Sequence, residues 1–343
     1  MKKSLQRIIV LSMAAMMLSG CGTKEKNANT SETEYAENET EQTQGETEQL
    51  QTEKEDTADA GNLVTFTDAL GRTVELETPE KAAVLSGSYA DCWLLAGGTL
   101  TATSEDAEEI LSDAPEVVSV GSVKHPSVET MLAEEVDFVV LSASIAGHVD
   151  MEQTLENAGV PTAYFEVETF DDYDEMMQIF TDITGRKDLY EKNVTDVRAQ
   201  IEEAIKMAED ALKEEEAPTV LFLRAFSNGV KAKGSDSMTG QMLKDLGCIN
   251  IADAEQSLLE DISMEAVIAA DPDYIFVTTM GDSEEAAIAM VEELLVSNPA
   301  WNGLSAVVNG NYEILPQELF HNKPNERWGE SYQMLAEYLY GEK

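Results

Sequence analysis

The sequence predicts an α/β protein built as two lobes of related topology. Three observations carry that reading: an internal helix–strand repeat, a long helical stretch between its two copies, and a short apolar strand opening each half. The repeat is the most informative. Glu129-Thr-Met-Leu-Ala-Glu-Glu-Val-Asp-Phe-Val-Val-Leu141 aligns without a gap on Glu265-Ala-Val-Ile-Ala-Ala-Asp-Pro-Asp-Tyr-Ile-Phe-Val277. Glu, Ala and Asp recur in register and the apolar positions agree, so each copy reads as a short helix, a turn and a buried strand. Small polar residues follow both strands: Ser142-Ala-Ser144 and Thr278-Thr-Met-Gly281.

The other elements follow from periodicity. Leu63 to Thr67 and Thr73 to Leu76 alternate around Gly71 and predict a hairpin. Ala82 to Leu85 is a buried strand running into Ser86-Gly-Ser-Tyr89 and a helix from Ala90 to Ala96. Asp171 to Thr184 sets Tyr173, Met176, Met177, Phe180 and Ile183 on one helical face, with Gly185 as its stop. Asp188 to Lys213 keeps a helical apolar stripe from Tyr190 to Leu212; at 1.5 Å per residue it extends about 39 Å. Glu214-Glu-Glu-Ala-Pro218 ends it, and Thr219 to Leu223 is the first strand of the second lobe. The boundaries are therefore 61–187, 188–213 and 214–343.

The first sixty residues belong to neither lobe. Met1-Lys-Lys3, an apolar run from Ile8 to Leu18, and Leu18-Ser-Gly-Cys21 have the pattern of a secretory signal over 1–20. Leu18 to Cys21 resembles a bacterial lipobox, which implies cleavage before Cys21 and lipid on that residue. Residues 21–60 are Glu, Thr, Gln, Asn and Ser with almost no large apolar side chain, too few to offset the entropy of ordering. They read as an acidic, disordered tether whose root-mean-square span is roughly 35 Å.

Sixty-seven acidic residues against 22 Lys and Arg give a formal charge of -45, which excludes nucleic acid or a bare anionic membrane as the partner. With Cys21 modified, Cys92 and Cys248 remain, in different lobes, and are expected as two buried thiols rather than a bridge. No pair among His125, His148 and His321 has helical ligand spacing, which disfavours a metal-ion site. No G-x-S-x-G elbow supports a hydrolase. No catalytic residue and no cofactor is expected.

Several stretches are similar to the iron-siderophore, haem and cobalamin family of ABC-transporter substrate-binding proteins. They are Asp68-Ala-Leu-Gly-Arg-Thr-Val74, the strand into Ser86-Gly-Ser-Tyr89, both repeats, the long helix, Lys233-Gly-Ser-Asp-Ser237 and Lys323-Pro-Asn-Glu-Arg-Trp-Gly329. In order they cover most of 63–343. The resemblance implies two Rossmann-like lobes joined by a single long interlobe helix, with a ligand cleft between them. It also implies a monomer that hands a small molecule to permease and ATPase subunits, with Glu129 and Glu265 docking on the permease. The ligand expected is an iron complex of siderophore type, with haem or a corrinoid as alternatives.

The cleft belongs where the carboxyl ends of the strands face each other. That nominates Ser86, Ser88, Tyr89, Ser104, Glu105, Lys124, His125, Ser142 and Ser144 from the first lobe. From the second it nominates Arg224, Phe226, Lys231, Lys233, Met280, Phe320, His321, Lys323, Arg327 and Trp328. Arg and Lys there suit carboxylate, phosphate or catecholate oxygens, and Phe320 and Trp328 supply apolar contact. Two departures weaken any one ligand: the cleft loops carry Ser, Lys and Leu where macrocycle-binding members show Trp, and Asp91 stands where Glu is common.

Overall fold

Alternation about a glycine makes the first element. Val64–Thr67 (β1) and Thr73–Leu76 (β2) pair antiparallel, and Gly71 takes the turn at φ 76°. The buried Asp68 carboxylate fixes this hairpin to the rest of the chain. It accepts the backbone N–H groups of Leu70, Arg72 and Tyr164 and two bonds from the Arg72 guanidinium, at 2.5 to 3.2 Å. The structure, a computed structural model, describes residues 63–254, 258–259, 262–281 and 283–341. The expected signal sequence (1–20), the lipid-bearing Cys21 and the tether to residue 60 lie outside the described residues.

Two sheets follow. Ala82–Val84 (β3), Leu100–Thr103 (β4), Val118–Ser119 (β5), Phe138–Ser142 (β6) and Thr162–Phe165 (β7) form a parallel sheet in the order β5-β4-β3-β6-β7. Thr219–Phe226 (β8), Gly229–Ala232 (β9), Ile249–Asn250 (β10), Tyr274–Thr279 (β11) and Tyr312–Leu315 (β12) form the second. Its parallel order is β10-β8-β11-β12, with β9 antiparallel on β8. Strands β6 and β11 are buried at every residue, so they read as unbroken apolar runs.

Strand parity sorts the core. Val84, Phe138, Val140, Phe222 and Phe276 join one apolar cluster, which continues through Tyr173, Phe180, Val197 and Ile201 to Trp328 and Leu335. Their strand neighbours face away into separate clusters, Ala83, Val139 and Leu141 in the first lobe and Leu223, Ile275 and Val277 in the second. The inner faces of both sheets thus share one apolar body. Cys92 and Cys248 are free thiols buried within it.

The repeat holds in three dimensions. Val128–Ala133 and Met264–Ala270 are helices whose Ser127 and Ser263 hydroxyls accept the N–H groups of Thr130 and Ala266. Glu135 and Asp271, equivalent in the alignment, both take positive φ at 58° and 42°. Asp137 then accepts the N–H groups of Glu80 and Lys81 ahead of β3, and Asp273 accepts that of Thr219 opening β8. The recurring Asp ties each repeat to the first strand of its own sheet.

From β7 the chain reaches β8 through two helical runs. Phe170–Thr184 opens with a Thr169–Asp172 capping box and stops at Gly185, φ 71°. The second run is continuous over 187–211, two residues short of Lys213 at its end. The acidic residues 214–216 oppose the negative C-terminal dipole there. Glu191–Thr195 is a π-helical turn. Widening the helix frees the Asn193 carbonyl to accept the Tyr173 hydroxyl at 3.0 Å, while the buried Asn193 amide donates to Leu95 O at 3.0 Å. This helix does not act alone: Trp328–Tyr340 packs along Asp196–Ala211. The expectation of one rod omits this partner, whose inward face of Trp328, Tyr332, Leu335 and Ala336 is buried.

Removing the Asp68 carboxylate leaves several donors without an acceptor. Asp68→Ala is expected to cost about 3 kcal/mol in urea unfolding; a loss under about 1 kcal/mol would mean that the hairpin is held by packing.

Candidate ligand cleft

In each parallel sheet the strand order reverses once, and the loops at that point diverge to leave a crevice. In the first sheet it reverses between β3 and β6, whose carboxyl ends lead to Ser86 and Ser142. In the second it reverses between β8 and β11, ending in Arg224–Phe226 and Thr278–Met280.

The first crevice is built from tight backbone. Ser86 is held at φ 129°, outside the usual range for a side-chain-bearing residue, and caps the helix Gly87–Leu95. A Cβ on Gly87 would lie 2.8 Å from the Asp106 carbonyl oxygen, so only glycine fits. Asp106 accepts the Gly87 N–H at 3.0 Å and the Ser104 hydroxyl at 2.5 Å. The Ser86 and Ser88 hydroxyls are 3.2 Å apart, and those of Ser142 and Ser144 are 2.9 Å apart.

The second crevice gathers cations. Arg224 on β8 is paired in register with Thr278 on β11 and with Lys231 on β9. Burial pushes the Arg224 guanidinium below its ordinary value, and the Glu168 carboxylate partly opposes that. His321 is pushed down to about 4, by burial first and then by Arg224 and Lys323. Arg224 Nε, Thr278 Oγ1 and His321 Nδ1 are buried without a hydrogen-bond partner among the described residues. Arg224 Nε, the Thr278 hydroxyl and His321 Nδ1 in its protonated tautomer are donors that suit the oxygens of an anionic group.

The 321–328 loop spans the two lobes. Lys323 Nζ lies 3.1 Å from Glu168 Oε1, just beyond β7. Asn325, buried and at φ 50°, donates to Ser88 O at 3.0 Å and to Asp91 Oδ2 at 2.8 Å. Between these contacts lies a cavity of about 580 Å³, lined from the first lobe by Ser86, Gly87, Ser88, Asp91, Asp106 and Glu109 and from the second by Glu318 and residues 321–327. Its lining carries both signs, but unequally. Lys323 and Arg327 are already paired, with Glu168 and Glu330, whereas Asp91, Asp106, Glu109, Glu318 and Glu326 form no salt bridge among the described residues. Burial, with a smaller contribution from Asp91, raises the Glu326 carboxyl.

Ser86, Ser88, His321, Lys323 and Arg327 of the predicted set therefore line one cavity. Arg224 joins through its electrostatic coupling to His321. Tyr89 is buried and donates to Phe165 O at 3.2 Å, and Ser104 is buried beneath Asp106. Phe320 and Trp328, expected as apolar cleft contacts, sit in the core at 0% and 1% exposure. The Phe320 carbonyl there accepts the Thr239 hydroxyl, and Trp328 packs edge-on to Phe170. Glu105, Lys124, His125 and Ser144 are exposed on first-lobe loops; Phe226 and Lys233 are half-buried, and Lys231 and Met280 exposed, on the second lobe. Glu129 and Glu265 are exposed in the first turns of the repeat helices.

Two residues escaped the sequence reading. Asn325 lies inside the quoted Lys323–Gly329 motif, yet only the fold shows that its amide crosses to the other lobe. His148 is buried, its Nδ1 accepting the Ser142 N–H at 2.9 Å and its Nε2 donating to Val123 O at 2.7 Å. Both ring nitrogens are thus occupied in shaping the end of β6. No cluster of three His, Cys, Asp or Glu arranged for a metal ion occurs among the described residues.

The depressed His321 value has a pH consequence. Between about 4 and its ordinary value near 6.5 the unfolded chain binds the proton that the folded one refuses, so folding weakens as pH falls through that window. His321→Gln is expected to flatten the fall of the melting midpoint between pH 6.5 and 4. An unchanged slope in thermal scans would remove His321 from that role.

Residues 83–319 match the family model described as "Periplasmic binding protein". No curated protein sequence is significantly similar to the chain. Solved structures are. The siderophore-binding protein BauB, bound to two acinetobactin molecules and ferric iron, is 17% identical with a TM-score of 0.64, covering 82% of this chain and 99% of its own. A periplasmic haem-binding protein from Pseudomonas aeruginosa is 22% identical at 0.62, covering 76% and 93%. The vitamin B12-binding protein BtuF of Vibrio cholerae is 18% identical at 0.60, covering 76% and 97%. Two parallel α/β sheets, each with its crevice at the strand ends, and a family match over more than half the sequence lead to one assignment: the chain belongs to the periplasmic binding proteins, the non-enzymatic substrate-binding proteins of ABC importers.

Proposed function

We propose that this protein captures an iron complex of siderophore type outside the cell and delivers it to an ABC permease. The observation that carries the reading is the 580 Å³ cavity lined from both lobes at the strand ends, beside the buried, unpartnered Arg224 Nε and His321 Nδ1. The volume lies within the range of small-molecule pockets. Arg224, His321 and Lys323 offer donors to the oxygens of a chelate. The carboxylates of Asp91 and Glu109 on the first-lobe wall, with Glu326 beside Lys323 on the second, disfavour a strongly polyanionic ligand and suit one that also carries amino groups. Haem and corrinoids, bound by similar proteins of this fold, are the alternatives. Residues 61–187 and 214–343 act as the two lobes, and the helical run between them limits their relative swing.

Calorimetric titration with ferric hydroxamate, ferric carboxylate and ferric catecholate chelates, with haem and with cobalamin tests the ligand class. A ferric chelate is expected to bind, and Arg224→Gln to weaken it by about tenfold, the loss of one charge-assisted hydrogen bond. Binding of haem or cobalamin alone would replace the siderophore reading.

The N-terminal segment supports anchoring. We read Cys21 as the lipidated residue, with 21–60 as the tether, on the basic, apolar and Leu-Ser-Gly-Cys pattern. No described helix is long and apolar enough to cross a membrane. Cys21→Ser is expected to move the protein from the membrane fraction to the medium, followed by immunoblotting of both; retention in the membrane would rule out the anchor.

A further inference from the structure

Glu168 stands where the chain leaves the first sheet, three residues past the end of β7. Its backbone is fixed: the Glu168 N–H donates to Asp172 Oδ2 at 3.0 Å, beside the capping box that opens Phe170–Thr184. Its side chain is less confined. The carboxylate is 55% exposed, and its one hydrogen bond among the described residues comes from the Lys323 ammonium at 3.1 Å. Among the described residues this is also the one ion pair that joins the first lobe to the second. The same carboxylate acts on two further cleft groups. It opposes the effect of burial on the Arg224 guanidinium, and after burial it helps to raise the Tyr89 hydroxyl.

Strand parity shows what lies opposite. Phe222 and Phe276 face the shared apolar cluster, so Arg224 and Thr278, two residues further along β8 and β11, face the same way. They are register partners, and Lys231 on β9 extends the row. Thr278 is fully buried, and its hydroxyl, like Arg224 Nε and His321 Nδ1, has no partner among the described residues. The second lobe thus holds donors that the protein leaves unused, while an acid of the first lobe meets the charge of its cations. In a chain with 67 acidic residues, an acid beside a lysine is ordinary. An acid that reaches across the lobes and acts on both Lys323 and Arg224 is a different matter.

We infer that Glu168 is a specificity-determining residue: its carboxylate stands in for the ligand's oxyanion at Lys323 and Arg224 in the empty cleft, and the ligand must take its place. An ion pair this exposed contributes little, so opening it costs little. Once the oxygens of a chelate reach Arg224 and Lys323, Glu168 is left without a partner on the first-lobe wall. There it repels an anionic chelate and is nearly indifferent to a neutral one. One acid thereby sets the charge of the ligand that the cleft accepts. This rests on the siderophore-capture reading and adds to it the residue that selects among chelates.

The test titrates the full chain by calorimetry with a ferric tricatecholate, which is strongly anionic, and a ferric trihydroxamate, which is neutral at its metal centre. Glu168→Gln keeps the shape and removes the charge. It is expected to tighten the tricatecholate about fivefold and the trihydroxamate less than about twofold. Glu166→Gln removes the same charge from an exposed side chain in a separate pocket beside Asp68 and Ala69, and is expected to move neither. In a Lys323→Gln background the gain from Glu168→Gln is expected to fall below about twofold, because the partner is already gone. A second readout needs no ligand: Glu168→Gln is expected to speed amide hydrogen exchange over 321–327 about threefold in the empty protein. No change for either chelate, equal tightening of both, or the same effect from Glu166→Gln would overturn the inference. If the unsubstituted protein binds neither chelate, the siderophore reading fails and exchange alone decides. An unchanged rate over 321–327 then sinks the stand-in role, and a faster one keeps it for another anionic ligand. Equal melting midpoints across the variants separate a lost contact from a lost fold.

Discussion

The apolar cluster shared by the inner faces of the two sheets is the constraint on which the rest of the structure depends. In a protein with two independent cores, a bending segment between lobes sets their motion. Here Phe222 and Phe276 of one sheet and Phe138 and Val140 of the other belong to a single cluster bridged by Tyr173, Phe180, Val197 and Trp328. Pulling the lobes apart exposes that surface at roughly 25 cal/mol per Å², so wide opening is costly and small rocking is not. The paired helices Asp196–Ala211 and Trp328–Tyr340 act in the same direction.

The cleft also shows where an acidic chain places its few basic groups. Its few basic groups are placed where two strand ends and a loop converge, and burial keeps bulk solvent from screening them. Arg224 and His321 hold unsatisfied buried atoms there, while Lys323 reaches the other lobe through Glu168. Across the cavity from them stands Asp91, and on their own loop Glu326, whose carboxyl is raised by burial first and by Asp91 to a smaller degree. The same residues join the lobes, since Asn325 bonds both Ser88 and Asp91.

Much of the fold was legible because its signals are local. Alternation around Gly71, the capping box at Thr169, the stop at Gly185 and the buried runs of β6 and β11 need only neighbours in sequence to be read. The repeat extended this reach, because alignment exposes a shared Asp whose role appears only when it clasps the first strand of each sheet. Three features were not legible, and each depends on distant partners. Phe320 and Trp328 carry the same aromatic signature whether they face ligand or core, and burial, with Trp328 edge-on to Phe170 and the Phe320 carbonyl bonded by the Thr239 hydroxyl, decided for the core. The π-turn at Glu191–Thr195 answers a tyrosine eighteen or more residues earlier, at position 173. The excess of unpaired carboxylates over free cations in the cavity follows from which Lys and Arg had already found acids elsewhere.

The two interior cysteines bear on how such a protein survives outside the cell. Burial pushes the Cys248 thiol up to about 12 and that of Cys92 well above its ordinary value, so neither forms the thiolate that oxidants and disulfides attack. Outside the cytoplasm, the folded chain should neither cross-link with its neighbours through Cys92 or Cys248 nor depend on a reductant to protect them. A transient loosening of the core is the one event that would put either sulfur at risk, so resistance to oxidation becomes a gauge of how rarely the interior opens.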